Sequence, residues 1–191
     1  MILINAPPPR RPMLAALFLK GNGMAVLQWS DNFTLGMEVM DTTHQEFVQL
    51  LAQVVQASDT ELLPLWQALV AHTDDHFARE DRWMIDTGFA ANNCHSSQHQ
   101  TVLKVMREGS KRGLTGNLAV VRQMADELGV WFPQHAEAMD AALAEHLRSV
   151  GYDPRTGQVL RPQALPAAAI EGCHGESCGP DEAPEAKLQT A

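Results

Sequence analysis

The chain has 191 residues, 45% of them hydrophobic, which allows one ordinary domain plus tails and an adequate core. Its formal net charge of −9, with no basic patch, argues against nucleic acid as a partner. Three cysteines (Cys94, Cys173, Cys178) do not make a disulfide framework and suit a reducing cytoplasm, and no apolar run reaches the roughly 18 residues of a membrane span.

Residues 1–23 contain Pro7-Pro8-Pro9, Pro12 and Gly21-Asn22-Gly23, and read as disordered, an over-extension upstream of a natural start at Met24 or a loose arm. Arg10-Arg11 followed by Met13–Leu19 imitates a signal peptide only faintly, because the apolar run is short and Lys20 stops it. Trp29, Phe33, Leu35 and Gly36 form an irregular apolar arm expected to pack over the domain.

Four helices are expected next. The first starts near Asp41-Thr42-Thr43, residues suited to an N-cap, and carries Phe47, Leu50, Leu51, Val54 and Val55 as one stripe. A second opens at Asp59-Thr60-Glu61, tolerates Pro64 in its first turn and ends at Gly88. The third begins at Asn92-Asn93 and fades between Gly109 and Gly113. The fourth follows Thr115-Gly116-Asn117 and runs to Gly151, with a kink or loosened turn expected at Pro133, just before His135. The fold class is therefore all-α, an up-down-up-down four-helix bundle with an N-terminal arm and disordered tails. Its domain spans 24–151, and a flexible acidic tail covers 152–191.

Seven residues carry chemistry. His76/Glu80 and His95/His99 are each four apart, so each pair projects from one helix face. With His44 on the first helix and His135 and Asp140 on the fourth, every helix turns ligands to a common axis. Five imidazoles exceed the three protein ligands usual for a catalytic zinc. Seven ligands with two carboxylates fit two metals bridged by Glu80 and Asp140, with His95, His99 and His135 on one ion. His44 and His76 hold the other, which is left one ligand short. The His135/Asp140 spacing is untidy, because five residues of α-helix turn about 500°. His72 reads as a solvated or supporting residue, His146 as exposed, and Cys94 as a helix-start residue. Cys173, His174 and Cys178 make an odd tail motif that could bind a soft metal or close a disulfide loop.

The segments Trp29…Phe33…Gly36…Met40-Asp41-Thr42-Thr43-His44, His76-Phe77-Ala78-Arg79-Glu80-Asp81, Met84…Gly88-Phe89…His95-Ser96-Ser97-Gln98-His99 and Trp131-Phe132-Pro133-Gln134-His135…Asp140 resemble the hemerythrins, in particular the single-domain bacterial forms. The resemblance covers about 29–150. It implies two iron ions, carboxylate- and oxo- or hydroxo-bridged, that bind O2 reversibly at the five-coordinate iron, with no catalytic residue. The expected role is storage of O2 or its delivery to oxygen-consuming client enzymes, by a monomer or weak oligomer in the cytoplasm that the cysteine usage suggests. Phe89-Ala90 stands where the family often has Tyr-Pro, and Phe132 where it usually has Leu. Phe132, with Trp131, is expected to line the O2 pocket and to affect O2 entry or autoxidation. The competing classes are a di-iron oxidase, peroxidase or nitric-oxide-handling enzyme, and an oxygen or iron sensor. A neutral, imidazole-rich ligand set favours holding O2 over cleaving it, and no second globular domain or membrane segment supports the sensor.

Overall fold

The computed structural model describes residues 18–21, 24–89 and 93–170. Four long helices dominate: α1 (Glu38–Gln56), α2 (Asp59–Thr87), α3 (Cys94–Leu114) and α4 (Leu118–His135). A π turn (Ala136–Asp140) joins α4 to α5 (Ala141–Val150), which continues the fourth arm of the bundle. Helices adjacent in sequence pack against each other, and α1 closes the ring against α4. This is the expected four-helix bundle.

Local chemistry sets the ends. Ser58 and Glu61 form a capping box at α2, with the Glu61 carboxylate accepting from Ser58 N–H at 3.2 Å. Asn93 caps α3 by accepting from Ser96 N–H at 2.9 Å. Gly88 ends α2 at φ +95°, and a Cβ there would meet Pro166 Cγ at 2.6 Å, so glycine is required twice over. The start of α1 departs from expectation. The helix begins at Glu38, one turn earlier, and Asp41 lies inside it. Its carboxylate accepts from Leu35 N–H at 2.7 Å and Gly36 N–H at 3.1 Å, tying down the arm instead of capping the helix.

Two apolar clusters fill the bundle. One holds Phe33, Phe47, Leu51, Trp66, Leu69, Met106, Leu128 and Phe132. The other holds Met40, Trp83, Met84, Phe89, Leu143, Leu147 and Tyr152. Along every helix that carries one of the seven singled-out residues, that residue separates positions facing one cluster from positions facing the other or the helix end. Met40, His44 and Phe47 on α1 show the order most plainly, as do Leu69, His76, Glu80 and Trp83 on α2. A polar layer is thereby enclosed between two greasy ones, where water cannot reach it.

Both flanks of the bundle carry structure that composition did not suggest. Strand β1 (Phe18–Gly21) pairs antiparallel with β2 (Met24–Leu27), whose Leu27 is buried in the first cluster. After the bundle, β3 (Tyr152–Asp153) pairs with β4 (Gln158–Val159). The Asp153 carboxylate accepts from Arg155 N–H and Thr156 O–H at 2.9 Å each, and Gly157 at φ +72° completes the turn. Further on, Ile170 N–H donates to Gly88 O at 2.9 Å. Residues 152–170, expected as the start of a flexible tail, are thus fastened to the end of α2. Tyr152, buried against the second cluster, is the anchor. Residues 1–17 and 22–23, Ala90, and the tail motif Cys173, His174 and Cys178 lie outside the described residues.

Candidate metal centre

The seven side chains converge in the polar layer. His44, Glu80, His95 and Asp140 are fully buried, and His76, His99 and His135 nearly so. The i, i+4 pairs on α2 and α3 present their groups from single faces, as expected. The untidy pair resolves differently from expectation. The loosened turn falls after His135, not before it, and takes the form of a π turn in which Ala141 N–H reaches back to Ala136 O. One wider turn absorbs the extra residue, so His135 and Asp140 face the same way.

The carboxylates divide the layer into halves. Glu80 Oε1 lies 3.1 Å from His76 Nε2, while its Oε2 lies 3.4 Å from His99 Nε2 and 3.7 Å from His95 Nε2. Asp140 Oδ2 lies 3.2 Å from His44 Nε2, while its Oδ1 lies 3.0 Å from His95 Nε2 and 3.2 Å from His135 Nε2. Each carboxylate therefore gives one oxygen to each half. One half gathers ligand atoms from His95, His99, His135, Glu80 and Asp140; the other gathers them from His44, His76 and Glu80, with Asp140 Oδ2 alongside.

Buried polar atoms ordinarily find hydrogen-bond partners. Here the two oxygens of Glu80, the two of Asp140 and the Nε2 atoms of His44, His76 and His95 have none, although they approach within hydrogen-bond length. Their lone pairs point at a common interior instead. His99 and His135 sharpen this. His99 Nδ1 lies 2.8 Å from Asp81 Oδ1, and His135 Nδ1 lies 3.1 Å from Gln98 Oε1. Each Nδ1 donates to its oxygen, so in the neutral ring the Nε2 atom is the bare, ligating nitrogen, and the two Nε2 atoms lie only 3.3 Å apart. Two such nitrogens this close need a proton or a metal cation beside them.

The charges agree. Burial and the Asp140 charge push Glu80 up, but His76 and His99 outweigh them and hold it below the usual carboxylate range. Asp140 is likewise held low, against its own burial, by His135, His44 and His95. Burial depresses His76 despite Glu80 beside it, keeping that imidazole neutral and able to ligate. His99 is pushed the other way, up to about 9 against its burial by Asp81 and Glu80, and His44, also against its burial, is raised by Asp140, so in the metal-free site protons stand where cations would bind. Two buried anions among five imidazoles fit divalent cations that displace those protons, and the residues present fit a pair of them.

Other candidates fall elsewhere. His72 pairs with Glu46 at 3.1 Å on the outside of the α1–α2 face, not in the centre. His146 is part-buried rather than exposed, its Nε2–H donating to Thr87 O at 2.8 Å and its ring standing edge-on to Phe89. Cys94 is the first residue of α3. Phe132 lies edge-on to His44, ring centroids 5.2 Å apart, and stacks on Phe47 at 4.7 Å, which puts it beside the two-histidine half. Trp131 instead stacks on His135 at 4.4 Å, against the three-histidine half. Asp81, Gln98 and Phe77, which stacks on His99 at 3.9 Å, were not singled out from the sequence. Their sequence signal is adjacency within the segments that carry the resemblance: Asp81 follows Glu80, Gln98 precedes His99 and Phe77 follows His76.

Comparison with known proteins agrees with this geometry. The family model described as the hemerythrin HHE cation binding domain matches residues 35–147. A bacteriohemerythrin of Ralstonia nicotianae is 37% identical over 132 residues, covering 69% of this chain and 96% of that protein. Bacteriohemerythrins of Pseudomonas aeruginosa and Aquifex aeolicus are 26% and 29% identical, covering 65% and 59% of this chain and 84% and 91% of theirs. No solved structure matches the chain.

Proposed function

This chain belongs to the hemerythrin family, and from that premise we propose that it binds O2 reversibly at a non-haem di-iron centre, without catalysing a reaction of its own. The observation that carries the reading is the sharing of Glu80 and Asp140, one oxygen to each half of a buried five-imidazole site. His95, His99 and His135 would hold one iron and His44 and His76 the other, with both carboxylates as bridges. When bound, such an iron pair supplies the reversible electron donation to O2 that protein side chains lack.

The residues supply place, dryness and restraint. The two-histidine half has one ligand fewer, so a diatomic molecule has room to approach there. Phe132 stands beside His44 with Phe47 stacked on it and Phe33 tilted against it, excluding water and offering no side-chain proton donor. A site without a general acid next to the bound molecule favours release of O2 intact over its reduction. Storage of O2, or supply to oxygen-consuming enzymes in the cytoplasm, is the role that fits. No helix among the described residues is long and apolar enough to cross a membrane.

The test is the optical spectrum of iron-loaded protein, reduced, aired and then degassed. Reversible binding predicts a visible band that appears in air and disappears on degassing over repeated cycles. Rapid one-way oxidation with peroxide release, or turnover of an added reductant, would assign the centre to the oxidase or peroxidase class instead.

A further inference from the structure

The two halves of the centre are not equally supported by the protein around them. In the three-histidine half, Asp81 fixes the His99 Nδ1 proton and Gln98 fixes that of His135. Phe77 lies flat on the His99 ring with an interplanar angle of 6°, and Trp131 lies on the His135 ring at 27°. Tautomer and ring orientation of these two imidazoles are thus set before any ion arrives, while Nδ1 of the third, His95, is buried without a partner. In the two-histidine half, Nδ1 of both His44 and His76 is buried without a partner. Nothing among the described residues there selects the tautomer whose Nε2 is bare, and the His44 ring meets a tilted His76 ring at 5.1 Å and the edge of Phe132 at 5.2 Å, with no ring stacked flat upon it.

We propose that the three-histidine half takes its metal ion first and more tightly, and that Asp81 and Gln98 are the positioning residues that set this order. The inference rests on the two-ion reading of the site. Three contributions point the same way. The first half offers five ligand atoms, one more than the second. Two of its three imidazoles, against neither in the other half, need no tautomer change, and a carboxylate partner on Nδ1 of His99 makes its other ring nitrogen a stronger donor. Its His99 and His135 Nε2 atoms already stand 3.3 Å apart, close enough to share one ion. A first ion then neutralises part of the Glu80 and Asp140 charge, so the second ion meets a weaker field. Asp81 is 35% exposed at its side chain, so its substitution disturbs the orientation of His99 without opening the core.

The experiment is anaerobic titration of metal-free protein with Co(II), whose ligand-field absorption reports the coordination of each ion as it enters. The expected result is two resolved steps, with His76→Ala removing the second step and preserving the spectrum of the first. Asp81→Asn is expected to weaken the first step by about 10- to 100-fold and to leave the second unchanged. Gln98→Ala should act on the same step, and Asp81→Glu should restore part of it. Simultaneous filling of both halves, an Asp81→Asn effect on both steps alike or on neither, or loss of the first step in His76→Ala would each overturn the order while leaving a two-ion site intact. Uptake of fewer than two ions by the unaltered protein would overturn the two-ion reading itself, and the order with it. Helical circular dichroism of each variant separates these outcomes from failure to fold.

Discussion

His135 Nε2 stands 3.2 Å from Asp140 Oδ1 although the two residues are five apart on one continuous helical arm. The π turn between them makes this contact possible, and Asp140 then reaches His44 and His95 as well. Asp140→Asn keeps the shape of the turn and removes the charge shared by both halves. Metal analysis after exhaustive dialysis should find at least one ion per chain missing, with helical circular dichroism unchanged. Full metal retention would show that Asp140 bridges nothing.

Much of this centre was legible because helix periodicity makes i and i+4 coincide, as with His76/Glu80 and His95/His99. The π turn was not legible, because the same sequence read with α-helical rotation sends Asp140 away from His135. Pro133 marked the neighbourhood but misplaced the disturbance by a turn. Asp41 looked like an N-cap because residue type alone does not reveal which N–H groups lie in reach; those of Leu35 and Gly36 decide its role. The fastening of 152–170 depends on tertiary contacts of Tyr152, Pro166 and Ile170, which a proline-rich composition hides.

Removing the metal should destabilise the bundle well beyond the loss of a few surface contacts. Without cations, the Glu80 and Asp140 oxygens and three Nε2 atoms remain buried and unpartnered. Binding to the folded chain alone adds about 4 kcal/mol when free metal is a thousand times Kd. Thermal unfolding followed by circular dichroism should show the chelated protein melting lower by on the order of 10 °C. Equal midpoints with and without metal would contradict linkage between the centre and the fold.

Phe132 packs between His44 and the rings of Phe47 and Phe33, so its size sets how closed the two-histidine half is. Phe132→Leu removes part of that wall. It should cost about 1–2 kcal/mol in urea unfolding, less than the roughly 3–5 typical of truncating a buried Phe to Ala. Stopped-flow mixing should find faster O2 release and faster autoxidation, with metal content unchanged. Unaltered rates would mean that O2 reaches the centre by another side.

Asp41→Ala tests the arm that lies over this wall. The substitution frees two N–H groups, of Leu35 and Gly36, and should destabilise the fold by about 1–2 kcal/mol, in the range of lost caps. Phe33, whose ring centroid is 6.2 Å from that of Phe132, loses the restraint that follows it in the chain. Amide exchange over 29–37 should accelerate, while protection in the middle of α2 falls only as far as global stability does.

Tyr152 ties the segment after the bundle to α2, its O–H donating to Asp86 Oδ2 at 2.8 Å. Burial, then the hydrogen bond and the charge of Asp86, raise its phenol above the ordinary value of 10.0. The folded form therefore keeps a proton that the unfolded chain gives up. The unfolded state binds fewer protons above that value, and the stabilisation, complete below about pH 10, is lost progressively as pH rises towards the folded value. Urea unfolding at a series of alkaline pH values should show stability falling above pH 10 more steeply in the unaltered protein than in Tyr152→Phe. At neutral pH the variant should lose about 1 kcal/mol for the missing hydrogen bond. Parallel alkaline profiles for the two proteins would place the Tyr152 hydroxyl outside the contacts that hold this segment to the bundle.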